Sequence, residues 1–327
     1  MTGSSASGGP LVADTGAGAG ADISAQSEAA SEAASPSGAA SDTSSLSGAN
    51  VEVLVVAFGA PDLLETCLLG LGGDLPMTVV DNSSRADVRS VCDRLGARYV
   101  DPGRNLGFAG GVNRGLGLRS TTADAVLLLN PDAEIGPDGV CRLYRYLVDS
   151  PHLACVAPRQ ENGEGGGDDR VGWPFPSPGG AWVEAVGLGG LRRQVDFVIG
   201  SVLLVRSAAL AEVGPFDEQF FLYAEEADWQ HRARDLGWGV ALCPQVTAVH
   251  VGAGTGGDAT VREAHFHASQ ERYVRKYFGP RGWLVYRAGV MVGSGLRAVV
   301  LPGARGRAAA DRFHRYRQGP RRIEAPH

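Results

Sequence analysis

Residues Val51–Phe58 read VEVLVVAF, a short apolar run rich in valine. A run of this length without polar alternation is typical of a strand in a parallel sheet, because helices cover both of its faces. A second run of the same kind, AVLLL, occupies Ala125–Leu129. Together the two runs predict the centre of a parallel α/β sheet.

Around these runs, short apolar strands alternate with helical segments. We predict further strands at Met77–Val80 and Arg98–Val100, and helices at Pro61–Leu71, Asp87–Leu95, Asn105–Arg119 and Gly136–Val148. This alternation is the pattern of an α/β fold. In such folds ligands bind beyond the carboxyl ends of the strands, where Asp81 and Asp132 are placed by this assignment.

The pattern becomes less regular after Pro158. The stretch 161–190 is rich in Gly and Pro and predicts a long mobile loop. Regular structure resumes further on, with a strand or strand pair at Val195–Arg206, short strands at Val240–Leu242 and Ala248–His250, and a helix at Ala264–Tyr277.

Gly214–Trp238, GPFDEQFFLYAEEADWQHRARDLGW, places Glu225, Glu226 and Asp228 after an aromatic run. If Glu225–Asp235 is helical, Glu225 and Asp228 share a face and Asp228 pairs with Arg232. Glu226 then points elsewhere. The clustered charge by itself favours a solvated helix with an internal ion pair, and the alternative is that Glu226 enters a cleft as a general base.

Composition bounds the class of protein. The 327 residues, 44% hydrophobic and 20% charged, suffice for one large domain or two small ones. The net charge of -6 gives no nucleic-acid signature. Residues 1–49 are dominated by Ser, Ala and Gly, which predicts a disordered tail and not a signal peptide. Five scattered cysteines indicate reduced core thiols of an intracellular protein.

The C-terminal segment 281–327 is strongly basic. Its ten Arg against two acids give +8, which leaves -14 for the remainder. Trp283–Leu301 is apolar except for Arg287 and Arg297, and the nine residues between those arginines are far fewer than the ~20 of a bilayer span. We predict an interfacial helix with both arginines at the headgroups and with Trp283 and Tyr286 at the boundary. The alternative is an amphipathic helix packed on the rest of the protein.

Four motifs offer chemistry at the predicted strand ends. Asp81-Asn82 provides hydrogen-bond acceptors for a base or ribose, or forms an Asx-type turn. The Gly-rich stretch from Arg104 to Asn113 offers N–H groups and a guanidinium to a diphosphate, or makes a tight turn. Asn130-Pro131-Asp132 presents one carboxylate to Mg²⁺ or Mn²⁺, or begins a turn. His250 completes a metal site or contacts a diphosphate, although a lone His is more often structural.

In this order and spacing, the pieces VVDNSS, RNLGFAGGVNRG, LLLNPDAEI, GSVLLVRSAALAEVGPFDEQFFLYAEEADWQHRARDLGW and AVHVGAGT resemble the inverting glycosyltransferases of family 2. The similarity covers about Val51 to Tyr277. It is closest to the rhamnosyltransferase-like branch that builds bacterial cell-surface glycans.

The resemblance implies a GT-A fold, an α/β fold whose mostly parallel, nucleotide-binding sheet is flanked by helices. It implies a transferase domain at residues 50–280, after the tail 1–49 and before an amphipathic extension at 281–327. It also implies site residues. These are Glu226 as base beside Glu225 and Asp228; Asp81, Asn82, Arg104, Asn105, Gly107 and Asn130 at the donor; and Asp132 and His250 at the Mg²⁺ or Mn²⁺ ion.

The implied reaction moves a sugar from a nucleotide-diphosphate sugar, dTDP-L-rhamnose in this branch, to a glycan or polyprenyl-linked acceptor. We expect a cytoplasmic protein, peripheral on the anionic inner face of the plasma membrane, with no nucleic-acid partner. One rival is a sugar-1-phosphate nucleotidyltransferase, but Ala57–Leu63 lacks the Gly-rich basic loop such an enzyme needs. A second is a non-catalytic nucleotide-sugar or glycan-binding protein, against which the joint presence of Asp132, Glu226 and His250 argues.

Overall fold

The computed structural model describes residues 50–72, 75–162, 168–252 and 258–324, so the predicted tail at 1–49 lies outside the described residues. The strands are β1 Val51–Ala57, β2 Met77–Asp81, β3 Arg98–Val100, β4 Ala125–Leu129, β5 Ala133–Glu134, β6 Leu153–Glu161, β7 Asp168–Asp169, β8 Gly172–Trp173, β9 Phe197–Val198, β10 Val202–Arg206 and β11 Gly239–His250. The α-helices are α1 Pro61–Gly70, α2 Ala86–Leu95, α3 Gly107–Leu116, α4 Pro137–Val148, α5 Pro178–Ala185, α6 Ser207–Val213, α7 Glu225–Asp235, α8 Ala259–Val300 and α9 Gly303–Gln318. Short 3₁₀ turns follow at Gly189–Leu191 and Pro320–Arg322.

The main sheet has the order β3-β2-β1-β4-β10-β6-β11-β5, with β7 paired to β6. Strands β3, β2, β1 and β4 are parallel, as the alternating pattern predicts. Strand β10 then runs antiparallel to both β4 and β6, while β6 and β11 are parallel to each other. The sheet is therefore mixed, and its parallel half holds the predicted strand ends.

Both faces of the sheet are buried, which explains why β1 and β4 do not alternate. Val53 and Val55 pack on the side covered by α1, α2 and α4. Leu54 and Leu128 pack on the other side with Val112 of α3 and Trp229 of α7. Helix α3 lies very close to the sheet, since a Cβ at Gly115 would approach Leu54 Cδ1 to 2.1 Å. All five cysteines are buried and unpaired, as expected for core thiols.

Several elements differ from the sequence prediction. Strand β6 was not predicted. The stretch 161–190 is not one long loop, because it contains β7, β8 and α5. Helix α5 begins with Ser177 Oγ accepting from Gly180 N at 3.1 Å and with Pro178 in its first turn.

The two short strands predicted at 240–242 and 248–250 are one strand, β11. Its pairing with β6 shifts register between Cys243 and Thr247. Pro244 lies in this interval and has no N–H to donate, so the interruption that the sequence suggested is a bulge within one strand.

Helix α8 carries the chain from the sheet into the basic C-terminal segment. It is kinked at Gly279, where φ is +66°, just before Pro280. After the kink it packs between α5 and α9, with Gly289 against Ala181 and Gly293 against Ala185. Within the described ranges, no helix is sufficiently long and apolar to cross a bilayer.

The arginines and aromatics expected at a bilayer boundary face the protein instead. Arg287 donates to the carbonyl oxygens of Tyr316 and Arg317. Arg297 donates to the Glu184 carbonyl oxygen, and Trp283 is buried against Tyr316. The specific face predicted for membrane contact was therefore wrong, because these side chains bond the neighbouring helices.

Candidate active site

The candidate site lies where β2, β4 and β11 end and α7 begins. Asp81 closes β2, Asn130 and Asp132 follow β4, and His250 closes β11. Strand β5 pairs with β11 so that Ala133 lies opposite His250, and Val251 N donates to the Asp132 carbonyl oxygen at 3.0 Å. This pairing brings Asp132 Oδ1 within 3.4 Å of His250 Nε2.

Asp132 and His250 fit a divalent cation. The Asp132 side chain is only 3% exposed, yet its Oδ1 has no hydrogen-bond partner. A buried carboxylate oxygen without a donor is costly, and a cation in front of it would offset that cost. Within the described ranges there is no cluster of three or more His, Cys, Asp or Glu able to hold a metal. The protein would therefore supply two ligands, and substrate phosphates and water the others.

A strained turn precedes the acid pair of α7. Tyr223 and Ala224 have φ of +68° and +67°, a left-handed conformation that costs free energy in residues with a Cβ. The turn delivers Glu225 and Glu226 as the first two residues of the helix. Each keeps a buried Oε2 atom without a hydrogen-bond partner.

Burial sets the protonation of this pair. It raises the pKa of Glu226 to about 7, against the opposing effect of backbone N–H groups at the helix start. Burial, followed by the charge of Glu226, raises the pKa of Glu225 well above its ordinary value. A carboxyl group that titrates near neutral pH is suited to accept a proton.

Glu226 and Asp132 both lie close to the segment that joins β9 to β10, next to the end of β4. A Cβ placed at Gly200 would lie 3.6 Å from Glu226 Cβ, and the neighbouring Ser201 carbonyl oxygen accepts from Asn130 N at 2.8 Å. Burial is the main cause that raises the pKa of Tyr223, and the charges of Glu225, Glu226 and Asp132 raise it further while Arg262 lowers it. The three carboxylates therefore all lie within electrostatic range of one phenol.

The Gly-rich loop is tied to the end of β2. Asn82 Nδ2 donates to the Gly107 carbonyl oxygen at 2.9 Å, and Asn82 Oδ1 accepts from Leu106 N at 3.3 Å. Asn105 Oδ1 accepts from Gly107 N at 3.0 Å. Arg104 is exposed at the start of the loop. The structure thus brings together these predicted donor-site residues.

Asp81 is fully buried and largely satisfied by its own surroundings. Its carboxylate accepts from Ser83 N, the Ser83 hydroxyl, Arg85 N and the Tyr99 hydroxyl. A carboxylate has about four acceptor positions, so the Asx-type turn envisaged for this motif occupies them. A contact from Asp81 to a nucleoside would require one of these donors to leave.

The loop before α7 touches the Gly-rich loop directly. Phe108 N donates to the Phe221 carbonyl oxygen at 2.8 Å. A Cβ at Gly107 would lie 2.2 Å from that same oxygen, and Gly107 has φ +72°. The two segments therefore keep their spacing only with glycine at this position.

Asp228, predicted among the catalytic carboxylates, has a different setting. It is fully buried and accepts from Arg232 Nε at 3.0 Å, which is the predicted i,i+4 pair, and from the Tyr277 hydroxyl at 2.8 Å. Lys276 Nζ bridges it to Asp217. Residues two apart on a helix point about 200° apart, so Asp228 holds α7 against α8 on the side away from Glu226.

Two buried amides of the site were missed by sequence reasoning. Gln230 uses both amide atoms to pair with the backbone of Val198, at 2.9 and 2.7 Å. Gln160 accepts from the Ser201 hydroxyl at 2.8 Å. Gln230 lies one helical turn after Glu226, so the sequence could have indicated that it is close to the site. Nothing in the sequence near Gln160 or Ser201 suggests that these two residues are in contact.

Solved structures share this architecture. A mannosyltransferase from Pyrobaculum calidifontis, solved with GDP-Man and Mn²⁺, superposes with a TM-score of 0.52 at 15% identity, over 82% of each chain. GalNAc-T7 with UDP, GalNAc and Mn²⁺ gives a TM-score of 0.54 at 14% identity, over 82% of this chain and 56% of that one. The mixed sheet with its flanking helices is thus a GT-A fold.

The sequence is similar to those of known glycosyltransferases. Residues 52–210, just under half of the chain, match the model of Glycosyl transferase family 2. Together with the two relatives that follow, this match identifies the protein as a glycosyltransferase. It is 27% identical, over 69% of its length and 72% of the relative, to a low-salt glycan biosynthesis hexosyltransferase of Haloferax volcanii. It is 29% identical, over 75% of its length and 94% of the relative, to an N-acetylglucosaminyl-diphospho-decaprenol L-rhamnosyltransferase of Mycobacterium tuberculosis.

Proposed function

We propose that the protein is an inverting, metal-dependent hexosyltransferase that moves L-rhamnose from dTDP-L-rhamnose to a polyprenyl-diphosphate-linked saccharide. The observation that carries the proposal is the Glu226 carboxyl group, with an unpaired oxygen and a pKa of about 7, near the strand end that carries Asp132 and His250. The name of the mycobacterial relative supports the sugar and the class of acceptor.

In the proposed reaction, Glu226 takes the proton of the acceptor hydroxyl as that oxygen attacks the anomeric carbon. The new glycosidic bond forms as the bond from that carbon to the diphosphate oxygen breaks. The nucleoside diphosphate leaves from the opposite face, so the configuration inverts in a single displacement. No covalent bond to the protein forms.

Other side chains of the site bind and orient the donor. Arg104 and the N–H groups of the Gly-rich loop offset the charge that develops on the diphosphate. Asn82 and Asn105 hold that loop in place through hydrogen bonds. Asn130 lies two residues before Asp132, at the end of β4. A Mg²⁺ or Mn²⁺ ion held by Asp132 and His250 supplies further charge neutralisation when bound.

The acceptor places the reaction at a membrane. A polyprenyl-diphosphate-linked saccharide lies in the bilayer, and the nucleotide sugar is a cytoplasmic metabolite. We therefore propose that the protein works at the anionic inner face of the plasma membrane, to which the +8 segment 281–327 is attracted.

A transfer assay with a panel of nucleotide sugars and a lipid-linked acceptor tests the proposal. The wild-type protein is expected to use dTDP-L-rhamnose, to lose activity with a chelator, and to give a product of inverted configuration by NMR. Glu226→Gln keeps the shape but not the base, so we expect donor binding to persist and transfer to fall at least ~10²-fold.

Glu65→Gln is the matched control, because Glu65 of α1 makes a surface pair with Arg94 of α2. Full transfer by Glu226→Gln contradicts the assignment of the base. Nucleotide binding without any transfer identifies a binding protein, and activity that depends on pyrophosphate identifies a nucleotidyltransferase.

A further inference from the structure

One side of α8 after the kink is apolar and faces away from the protein. Its residues recur at three- and four-residue intervals, so they share one helical face. We call this face the apolar stripe: Leu284, Ala288, Val292, Leu296 and Val299. Leu296 is 57% exposed and Val299 is 87% exposed.

The apolar stripe continues onto the neighbouring helix. Trp182 of α5 donates its indole N–H to the Val285 carbonyl oxygen at 3.1 Å, which places α5 along the edge of the stripe. Further along this segment Val186, Leu188 and Leu191 are exposed, Leu191 to 75%. The other faces of α8 are covered by α5 and α9, so the packing leaves only this side unpartnered in the described part of the chain. An exposed patch of this kind marks a contact surface.

Exposed arginines stand at the ends of this surface. Arg281 precedes Leu284 by three residues and lies on the same helical face. Arg305 and Arg307 follow the other end in the first turns of α9, and Arg193 follows Leu191. Glu184 of α5 is the nearby acid, and Arg192 pairs with it at 3.4 Å. The apolar surface therefore has a basic rim.

We infer that the apolar stripe, with the exposed apolar residues of α5, is the face that docks on an anionic lipid bilayer. Apolar side chains enter the boundary between headgroups and acyl chains, while the rim arginines contact anionic headgroups. The contact is shallow, because no described helix crosses a bilayer.

Charge favours a bilayer over a second copy of this chain. In a symmetric dimer each interface residue meets the same surface of its partner. The stripe would then bring together two segments that each carry +8, and like charges repel. An anionic surface offers the opposite charge to the whole rim.

Vesicle flotation of the full-length protein tests this inference. We expect binding to vesicles of phosphatidylcholine with phosphatidylglycerol, weaker binding to phosphatidylcholine alone, and a loss of binding at high salt. Leu296→Glu should weaken binding at least ~10-fold, because it puts a charge where a leucine enters the lipid. Val299→Glu should act alike. Arg305→Gln with Arg307→Gln should lower only the preference for anionic vesicles.

Leu69→Glu is the matched control, since Leu69 on α1 is 59% exposed and lies outside this surface. It should bind vesicles as the wild type does. Equal binding by Leu296→Glu and wild type, or no binding by wild type, overturns the inference. A wild-type dimer in solution that Leu296→Glu dissociates, by sedimentation equilibrium, assigns the face to a second copy and overturns it too.

The inference rests on the proposed function, because it names the residues that contact the membrane proposed there. Its test, however, needs neither the sugar donor nor the acceptor. The Leu296→Glu variant should transfer the donor sugar to a water-soluble acceptor as the wild type does. Its hydrolysis of the donor should also match that of the wild type. A failed flotation experiment therefore leaves the transferase assignment standing, and a failed transfer assay leaves the docking face standing.

Discussion

At the start of α7, Glu225 and Glu226 place two carboxyl groups side by side where little water reaches them. Burial favours their protonated forms, so keeping them charged opposes folding. The strained residues Tyr223 and Ala224 add to that cost. Strain and unpaired buried acids at one position are typical of functional sites, where stability is given up for chemistry.

The pH dependence of transfer should report this pair. Glu226 must be deprotonated to act as a base, and its pKa is about 7, so kcat/KM should fall as pH drops below about 7. Because the two glutamates interact, the observed value belongs to the pair. A pH profile from 5 to 9, about two units on either side of neutrality, measures it. A profile that is flat through this range contradicts the assignment.

The same shift predicts an effect on stability. A carboxyl group whose pKa is raised by folding binds more protons in the native state, so stability falls as pH rises from about 4.5 to about 7. Glu226→Gln removes this loss. We therefore expect Glu226→Gln to be more stable than wild type at pH 8, on the order of 1–3 kcal/mol. At pH 4.5 the two should unfold alike, and thermal unfolding at both pH values checks the difference.

Sequence reasoning named most of the polar residues that the structure brings together at the candidate site, but not their hydrogen bonds. The motif around Asp81 allowed a ligand contact or an Asx-type turn, and only the folded contacts from Tyr99 and Arg85 distinguish them. The sequence predicted the pairing of Asp228 with Arg232, but not the other contacts of Asp228. Its link to Lys276 joins residues 48 positions apart, and no local pattern announces such a contact.

Among the elements, the Gly-rich loop and the segment before α7 depend on one another. Gly107→Ala should clash with the Phe221 carbonyl oxygen and strain φ at +72°, which destabilises the protein by about 2–4 kcal/mol and weakens donor binding. Gly103→Ala is a matched control, because Gly103 has the same φ of +72° and open space around its Cβ. Thermal unfolding and a donor titration should separate the two variants. Equal effects would show that backbone strain alone matters.

The elements that the sequence predicted are those whose own residues specify them. Strand β4 is a continuous apolar run, β1 is apolar except for Glu52, and α7 carries an internal ion pair. Strand β6 was missed even though the Ser150-Pro151 turn directly precedes it. Helix α5 is short and Gly-rich and depends on contact with Gly289 and Gly293 of α8, which lie more than 100 residues away.

At the scale of the whole molecule, the end of the C-terminal segment packs against α8 close to the loop that precedes α7. Glu324 accepts from Arg272 through both oxygens and contacts His265 at 3.1 Å. The His265 ring lies 5.0 Å from the ring of Phe221, the residue whose carbonyl oxygen abuts Gly107. The boundary predicted at residue 280 coincides with the kink of α8, and the division into domains there stays a prediction.

Glu324→Gln tests how much these contacts of the C-terminal segment contribute to the stability of the protein. Burial acts to raise the pKa of Glu324, but the hydrogen bonds from Arg272 and His265 outweigh it and lower the pKa. Its contribution to stability is therefore present at neutral pH and lost in acid. We expect Glu324→Gln to lower the free energy of unfolding by about 1–3 kcal/mol at pH 7 and by less at pH 3.

Glu65→Gln serves again as control, because its pair with Arg94 is exposed and worth less than about 1 kcal/mol. Chemical denaturation at the two pH values distinguishes the variants. The same loss from both substitutions would mean that the buried pair is no stronger than a surface one.

Lys276 is the only lysine in a chain whose other basic side chains are all Arg or His. Its Nζ atom forms ion pairs with Asp217, in the loop before Glu225 and Glu226, and with Asp228 of α7. An amine-directed reagent thus has a single side-chain target in this protein. That amine is ion-paired whenever α7 is packed against α8. Its rate of acylation therefore reports whether α7 is packed in place, and the measurement needs neither mutation nor substrate.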